Sequence, residues 1–161
     1  MASADLGDMA RLLADPAVMR YYPAPKTRDG AAAWIAWNEN NYAELGYGLW
    51  IVETLDGAFV GDCGLTWQAV NGIPRLEVGY HVQTAFQGRG FATEAAAACR
   101  DFARRHTRSP DLVAITHPQN RASQRVAEKI GMRRIDDDLG GGSVRIVFGM
   151  TLNISAEPLS R

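Results

Sequence analysis

Leu76-Glu77-Val78-Gly79-Tyr80-His81-Val82-Gln83-Thr84-Ala85-Phe86-Gln87-Gly88-Arg89-Gly90-Phe91-Ala92-Thr93-Glu94-Ala95 runs an apolar β-type segment into a glycine-containing turn and then into strong helix formers. That order predicts a strand, a tight turn and a helix whose N-terminus has nothing bulky in front of it. Gly88 and Gly90 lack a Cβ, so backbone N–H groups there can close on an anion. The first N–H groups of a helix have no intrahelical partner, and the helix dipole adds partial positive charge. A phosphate or pyrophosphate is the natural occupant, with the Arg89 charge beside it.

Three phosphate-binding patterns compete for this turn. A P-loop ends in Gly-Lys-Ser/Thr, which Phe91-Ala92-Thr93 does not supply. A dinucleotide fingerprint would place its third glycine where Thr93 stands. The pattern Gln/Arg-x-x-Gly-x-Gly/Ala is met at each fixed position by Gln87-Gly88-Arg89-Gly90-Phe91-Ala92. In this segment the chain resembles the GNAT superfamily of acetyl-CoA-dependent acyltransferases. The resemblance implies that Gln87, Gly88, Arg89, Gly90, Phe91 and Ala92 hold the CoA pyrophosphate and that acetyl-CoA is the co-substrate.

A second motif lies downstream. Asn120-Arg121-Ala122-Ser123-Gln124-Arg125-Val126-Ala127-Glu128-Lys129-Ile130-Gly131-Met132 follows the short apolar strand Leu112 to Thr116. Asn120 is a good N-cap, Pro118 discourages helix before it, and Gly131 is placed for a left-handed C-cap. The Asn-x-x-Ser…Glu-Lys-x-Gly-Met pattern resembles the RimJ/RimL-type branch of the GNATs, which includes ribosomal-protein N-terminal acetyltransferases. Leu12 to Tyr21 resembles that branch as well, so the likeness extends from Asp5 to Leu152. It implies a single GNAT domain over residues 1–161: a mixed α/β, mostly antiparallel sheet flanked by helices, with two central strands splayed apart at one end. The family pattern also has a strand before the first helix, where this chain has only Met1 to Ala4. Either the start omits that strand or the sheet has a bare edge, and a bare edge invites a homodimer.

Bulk properties narrow the class. A chain of 161 residues fits one domain with a substantial core. Net charge is −1 without a basic cluster, which disfavours nucleic acid as the main partner. The apolar stretches are too short to span a bilayer, and the N-terminus does not read as a signal peptide. Cys63 and Cys99 form no CxxC, so two free thiols in a cytoplasmic protein is the simplest reading. No metal-ligand cluster is visible, and none is expected to be required. Asn153-Ile154-Ser155 matches a glycosylation sequon, which means nothing without a secretory route.

Patterning then places the elements. Helices are expected over Asp5 to Ala14, from a Thr27 cap to Ala43, from Thr93 to Arg105, and after Asn120. Strands are expected at Tyr47 to Thr54, Phe59 to Trp67, Arg75 to Gln83, Leu112 to Thr116, Met132 to Asp136 and Val144 to Leu152. Leu55-Asp56-Gly57 and Asn71-Gly72 read as turns, and Asp137 to Gly142 as a flexible loop.

Acetyl transfer from a thioester to an amine requires a neutral amine, a stabilised oxyanion and a proton for the thiolate. Glu77 is the leading base, because a carboxylate inside an apolar strand is costly unless paired or used. The resemblance also favours a glutamate here, acting through water; the plain alternative is an ion pair with Arg75 or Arg133. His81 and His117 are rival bases, and His117 is also placed with the acceptor. Neutralising a free lysine amine at pH 7 costs about 4.6 kcal/mol, against about 1 kcal/mol for an α-amine. A modest base therefore suits a protein N-terminus. The oxyanion donor is expected from the backbone near Val82. Many GNATs carry an acid tyrosine where this chain has Ala127. The resemblance gives the sulfur-side role to Ser123, while Asn120 binds pantetheine or orders the loop. Acceptor contacts are expected from Tyr21, Tyr22, Trp67 and His117, with Trp34 more readily core. Asp136, Asp137 and Asp138 read better as a solvated loop than as an amine trap. The acceptor is a protein N-terminus or a small-molecule amine. A non-catalytic acetyl-CoA sensor is the alternative from another class.

Overall fold

The computed structural model describes residues 1–152, so the Asn153 sequon lies outside the described residues. A short 3-10 turn, Ser3–Asp5, leads into α1 (Leu6–Ala14) and α2 (Arg28–Leu45). Three strands follow: β1 (Leu49–Glu53), β2 (Phe59–Val70) and β3 (Ile73–Val82). A second 3-10 turn, Thr84–Phe86, precedes α3 (Phe91–His106), β4 (Asp111–Thr116), α4 (Arg121–Lys129), β5 (Arg133–Asp138) and β6 (Arg145–Thr151). The strands make one sheet in the order β1-β2-β3-β4-β6-β5. All neighbours are antiparallel except β3 and β4. This is the mixed, mostly antiparallel sheet expected from the sequence.

The helix starts follow local chemistry. The Thr27 hydroxyl accepts from the Gly30 N–H at 3.1 Å, and the Asn120 side chain accepts from the Ser123 N–H at 3.1 Å. Each cap satisfies an N–H that the helix itself leaves unpaired. Gly131, at φ 95°, ends α4 as its position predicts.

Alternation along β3 divides its side chains between two faces. Leu76, Val78 and Tyr80 meet Ala96, Cys99 and Ala103 of α3 and Ala127 of α4 in the main core. Glu77, Gly79 and His81 take the opposite face. A second core of Met9, Leu12, Leu13, Met19, Ala31 and Ile35 fastens α1 and α2 to Ile51 and Phe59. Cys63 and Cys99, remote in sequence, are both free and buried with their sulfurs 3.6 Å apart. The hydrogen bond between them and burial push the Cys63 thiol up, so it is inert packing.

As the sequence reads, no strand precedes α1 among the described residues, and β1 is an edge of the sheet. That edge is not bare where it begins: the Leu49 N–H donates to Asn38 Oδ1 at 2.8 Å, and the Leu49 carbonyl accepts from the Tyr42 hydroxyl. Asn38 is fully buried in this role, so α2 occupies hydrogen-bonding groups that a second chain would otherwise pair. The loop expected at Asp137 begins later, because β5 runs to Asp138. Asp138 is buried, pairs with Arg145, and accepts from the Asn71 N–H at 2.8 Å. It ties the β2–β3 turn to the β5–β6 turn, so a solvated loop was the wrong reading for it.

Candidate active site

The parallel contact between β3 and β4 is confined to Glu77 opposite Val113. Beyond that point β3 continues to Val82 and β4 to Thr116 without a ladder. The strands part there, and unpaired backbone lines the opening.

On the helix side of the opening lies the glycine turn. Gly88 and Gly90 have φ of 72° and 87°, a left-handed conformation that L side chains rarely adopt, and a Cβ on either would meet nothing within 4 Å. Gly90 is the N-cap of α3 and offers no side-chain cap, so the first amides of that helix face outward without an internal partner. The residues present therefore fit a pyrophosphate. Gln87 donates from Nε2 to the Val82 carbonyl at 3.0 Å, which fixes the turn to the end of β3. Arg89 lies over the rings of Phe86 and Phe91, at 5.3 and 5.5 Å from their centroids. Phe86 went unread in the sequence because a stacking partner has no motif.

Ser123 stands at the start of α4. Its hydroxyl lies 3.0 Å from the Tyr80 phenol, which also donates to the Ser123 carbonyl at 2.9 Å. Burial raises the Tyr80 pKa, so the phenol keeps its proton. Position 127 supplies no phenol, and β3 brings one to Ser123 from the other side of the groove. Strand alternation alone could have placed Tyr80 on this face; its partner required the tertiary fold.

On the opposite face the order of cross-strand pairs is Asp62–His81, Gly64–Gly79 and Thr66–Glu77. Glu77 is partly buried, and burial pushes its carboxyl up to about 7, against the opposing pulls of the Ile115 N–H, Arg145, His81 and Thr66. Neither Arg75 nor Arg133 claims it: Arg75 pairs with Asp111. A Cβ on Gly79 would meet nothing nearer than Leu49 Cδ2 at 3.9 Å, so room remains between Glu77 and His81. His81 is buried with both ring nitrogens engaged, Nδ1 with Asp62 at 2.7 Å and Nε2 with the Tyr22 phenol at 2.7 Å. It is not a free base. Trp34 donates to Asp62 at 3.2 Å and packs edge-on to His81, so it borders this group as well as the core.

Tyr21 stacks on His117 at 5.0 Å, and its hydroxyl donates to the Gln119 carbonyl at 3.2 Å. The adjacent residues Tyr21 and Tyr22 thus reach different arms of the opening, the β4–α4 loop and β3. Trp67 does not join them. It pairs with Leu76 and so takes the α3 face, where its Nε1–H donates to the Tyr47 hydroxyl at 3.0 Å. One residue of strand register puts it on the wrong side for an acceptor contact. Among the described residues no group of three His, Cys, Asp or Glu gathers to hold a metal, and no helix is long and apolar enough to cross a membrane.

A parallel strand pair that opens beside a helix start without a side-chain cap leaves a slot along the sheet. The Acetyltransferase (GNAT) domain matches residues 1–133, and the chain belongs to that family and is an acetyltransferase. It is 39% identical over 122 residues to YkkB, an uncharacterized protein of Bacillus subtilis (strain 168), covering 75% of this chain and 71% of that one. Its fold is similar to that of the ribosomal-protein-S5-alanine acetyltransferase of Vibrio fischeri, with TM-score 0.70, 16% identity and 95% and 91% of the two chains covered. It is also similar to a phosphinothricin acetyltransferase of Sinorhizobium meliloti in complex with AcCoA, with TM-score 0.74, 14% identity and 94% and 85% covered.

Proposed function

We propose that this chain is an N-acetyltransferase of the RimJ/RimL-like type, moving an acetyl group to a primary amine by direct attack in a ternary complex. Acetyl-CoA is the co-substrate, and it supplies the activated thioester. The turn Gln87, Gly88, Arg89, Gly90, Phe91 and Ala92 would hold its pyrophosphate, and the Val82 backbone and Asn120 its pantetheine arm. The observation that carries the amine reading is Glu77, a carboxyl in no salt bridge, pushed up to about 7 by burial beside the opened strands. A carboxylate of that pKa is half ionised at neutral pH and accepts a proton through water as the amine attacks. Backbone N–H near Val82 would meet negative charge developing on the carbonyl oxygen. Ser123, whose hydroxyl lies 3.0 Å from the Tyr80 phenol, would turn its proton toward the sulfur. Tyr21, Tyr22 and His117 border the acceptor side, and Trp67 is withdrawn from it. Either a protein N-terminus or a small-molecule amine satisfies this chemistry. The two fold neighbours named for a ribosomal protein and for phosphinothricin have the same architecture, so the fold leaves the choice to the acceptor-side loops.

Calorimetry with acetyl-CoA, followed by free-thiol release with Ala- and Ser-initiated peptides and linear diamines, tests the reading. Binding with release on one acceptor class supports it and names the class. Binding without release from any amine overturns the amine assignment.

A further inference from the structure

We propose that Asp62 and His81 are positioning residues that hold the Tyr22 phenol beside Glu77, and that the charge on His81 sets whether this phenol accepts from the acceptor amine or donates toward Glu77. The inference rests on the acceptor-side reading above and deepens it.

Four hydrogen bonds fix the arrangement. Asp62 is fully buried and takes the His81 backbone N–H at 3.1 Å and the Nδ1 proton at 2.7 Å. The Trp34 Nε1–H at 3.2 Å completes its shell. With Nδ1 carrying the proton, neutral His81 has a bare Nε2, which accepts from the Tyr22 hydroxyl at 2.7 Å. The phenol oxygen then turns its lone pairs outward. When His81 gains a second proton, Nε2–H donates to that oxygen and the phenol proton must find another partner. Glu77 shares the face of β3 with His81, two pleats away, and its charge, like that of Asp62, adds to burial in holding the proton on the phenol.

Between them is the open ground above Gly79. A neutral amine brings two N–H donors into that space and keeps its one lone pair for the thioester carbonyl. A carboxylate on one side and an oxygen with free lone pairs on the other receive it, and this is the neutral-His81 arrangement. A charged His81 instead aims a third donor at the amine. Tyr22 is suited to the task, since its side of the molecule is open at 46% exposure while its phenol points inward to His81.

The groups facing His81 are Asp62 on β2, Glu77 on its own strand, and Tyr22 and Lys26 from the segment between α1 and α2. Burial lowers its pKa, Asp62 and Glu77 raise it, Lys26 lowers it, and the net direction is upward. The working neutral form therefore gains ground as pH rises, together with ionised Glu77.

The test is steady-state kinetics against pH with the best amine of the peptide and diamine panel, comparing wild type, Tyr22→Phe, Asp62→Asn and the double variant. Tyr22→Phe is expected to raise the acceptor KM about tenfold and leave the acetyl-CoA KM unchanged. Asp62→Asn is expected to move the acidic limb of kcat/KM to lower pH in the Tyr22 enzyme and not in the Tyr22→Phe background. A merely structural role would shift both substrates' KM values and the melting midpoint together. Should Asp62→Asn not fold, NMR titration of the His81 ring replaces it: in wild type the ring and a limb of kcat/KM should titrate together. The proposal is overturned if Tyr22→Phe keeps wild-type kinetics, if Asp62→Asn shifts both backgrounds equally, or if the ring titrates away from every limb. A wild type that turns over no amine removes the acceptor-side reading and this inference with it, which is distinct from an active wild type matched by Tyr22→Phe.

Discussion

The two sides of the opened strands are built differently. The helix side takes its turn from one continuous segment, Gln87 to Ala92, and on the proposed reading would work through backbone N–H groups at the start of α3. The proposed acceptor side draws Tyr22 from a loop, Asp62 from β2 and Glu77 and His81 from β3, and would work through side chains with specific partners. Backbone recognition needs only the right turn, so it tolerates change in most side chains. Side-chain recognition needs several elements to arrive at one place. The first kind of site should fail by losing acetyl-CoA, and the second by losing rate or acceptor.

The sharpest contrast is expected at Glu77. Glu77→Gln should lower kcat by about 10²–10⁴-fold while leaving acetyl-CoA affinity within about twofold by calorimetry. Its pH behaviour follows from a folded carboxyl at about 7 against an ordinary 4.5. The proposed working form is ionised, so wild-type kcat/KM should rise as pH climbs through about 7, and the Glu77 part of that limb should vanish in the variant while the part set by His81 stays. Stability runs the other way: the folded state prefers the protonated form, so its contribution is complete below 4.5 and is lost as pH rises through about 7. Melting midpoints of wild type and Glu77→Gln across that range should diverge accordingly. A variant with full rate would break the assignment of the acceptor side.

Next in size is Gly90→Val. Its positive φ and its place before the free amides of α3 should make acetyl-CoA binding about a hundredfold weaker, read as Kd. The acceptor KM measured at saturating acetyl-CoA should stay near wild type. Gly79→Ala is the acceptor-side counterpart. Its backbone is not in the left-handed region and a Cβ has space, so the fold should persist, while the methyl enters the ground between Glu77 and His81. An acceptor KM raised about tenfold with an unchanged acetyl-CoA Kd is the expected result. Smallest is Ser123→Ala, which should cost about threefold in kcat, since Tyr80 remains beside the sulfur side of the groove. A larger loss would move the proton-donor role more firmly onto Ser123.

Much of the architecture was legible because its causes are local. The caps at Thr27 and Asn120 and the left-handed glycines at 88, 90 and 131 are properties of a few adjacent residues. Strand ends were less legible: β2 runs to Val70 rather than Trp67 and β5 to Asp138 rather than Asp136. There the partner strand decides how far pairing extends, and Asp138 stays in the strand because Asn71 and Arg145 hold it.

By itself the sequence determined the phosphate-type turn, the order of elements and a carboxylate in an apolar strand, since each rests on backbone conformation or on the cost of burying charge locally. Only the tertiary structure decided the rest. It gave Trp67 to the α3 face, brought Tyr80 to Ser123, covered the start of the β1 edge at Leu49 with Asn38 and Tyr42, and closed Asp62, His81 and Tyr22 into one hydrogen-bonded row. The physical reason is register and approach. A side chain's face is set by the pairing of its strand, and its partner by whatever element the fold packs against that face.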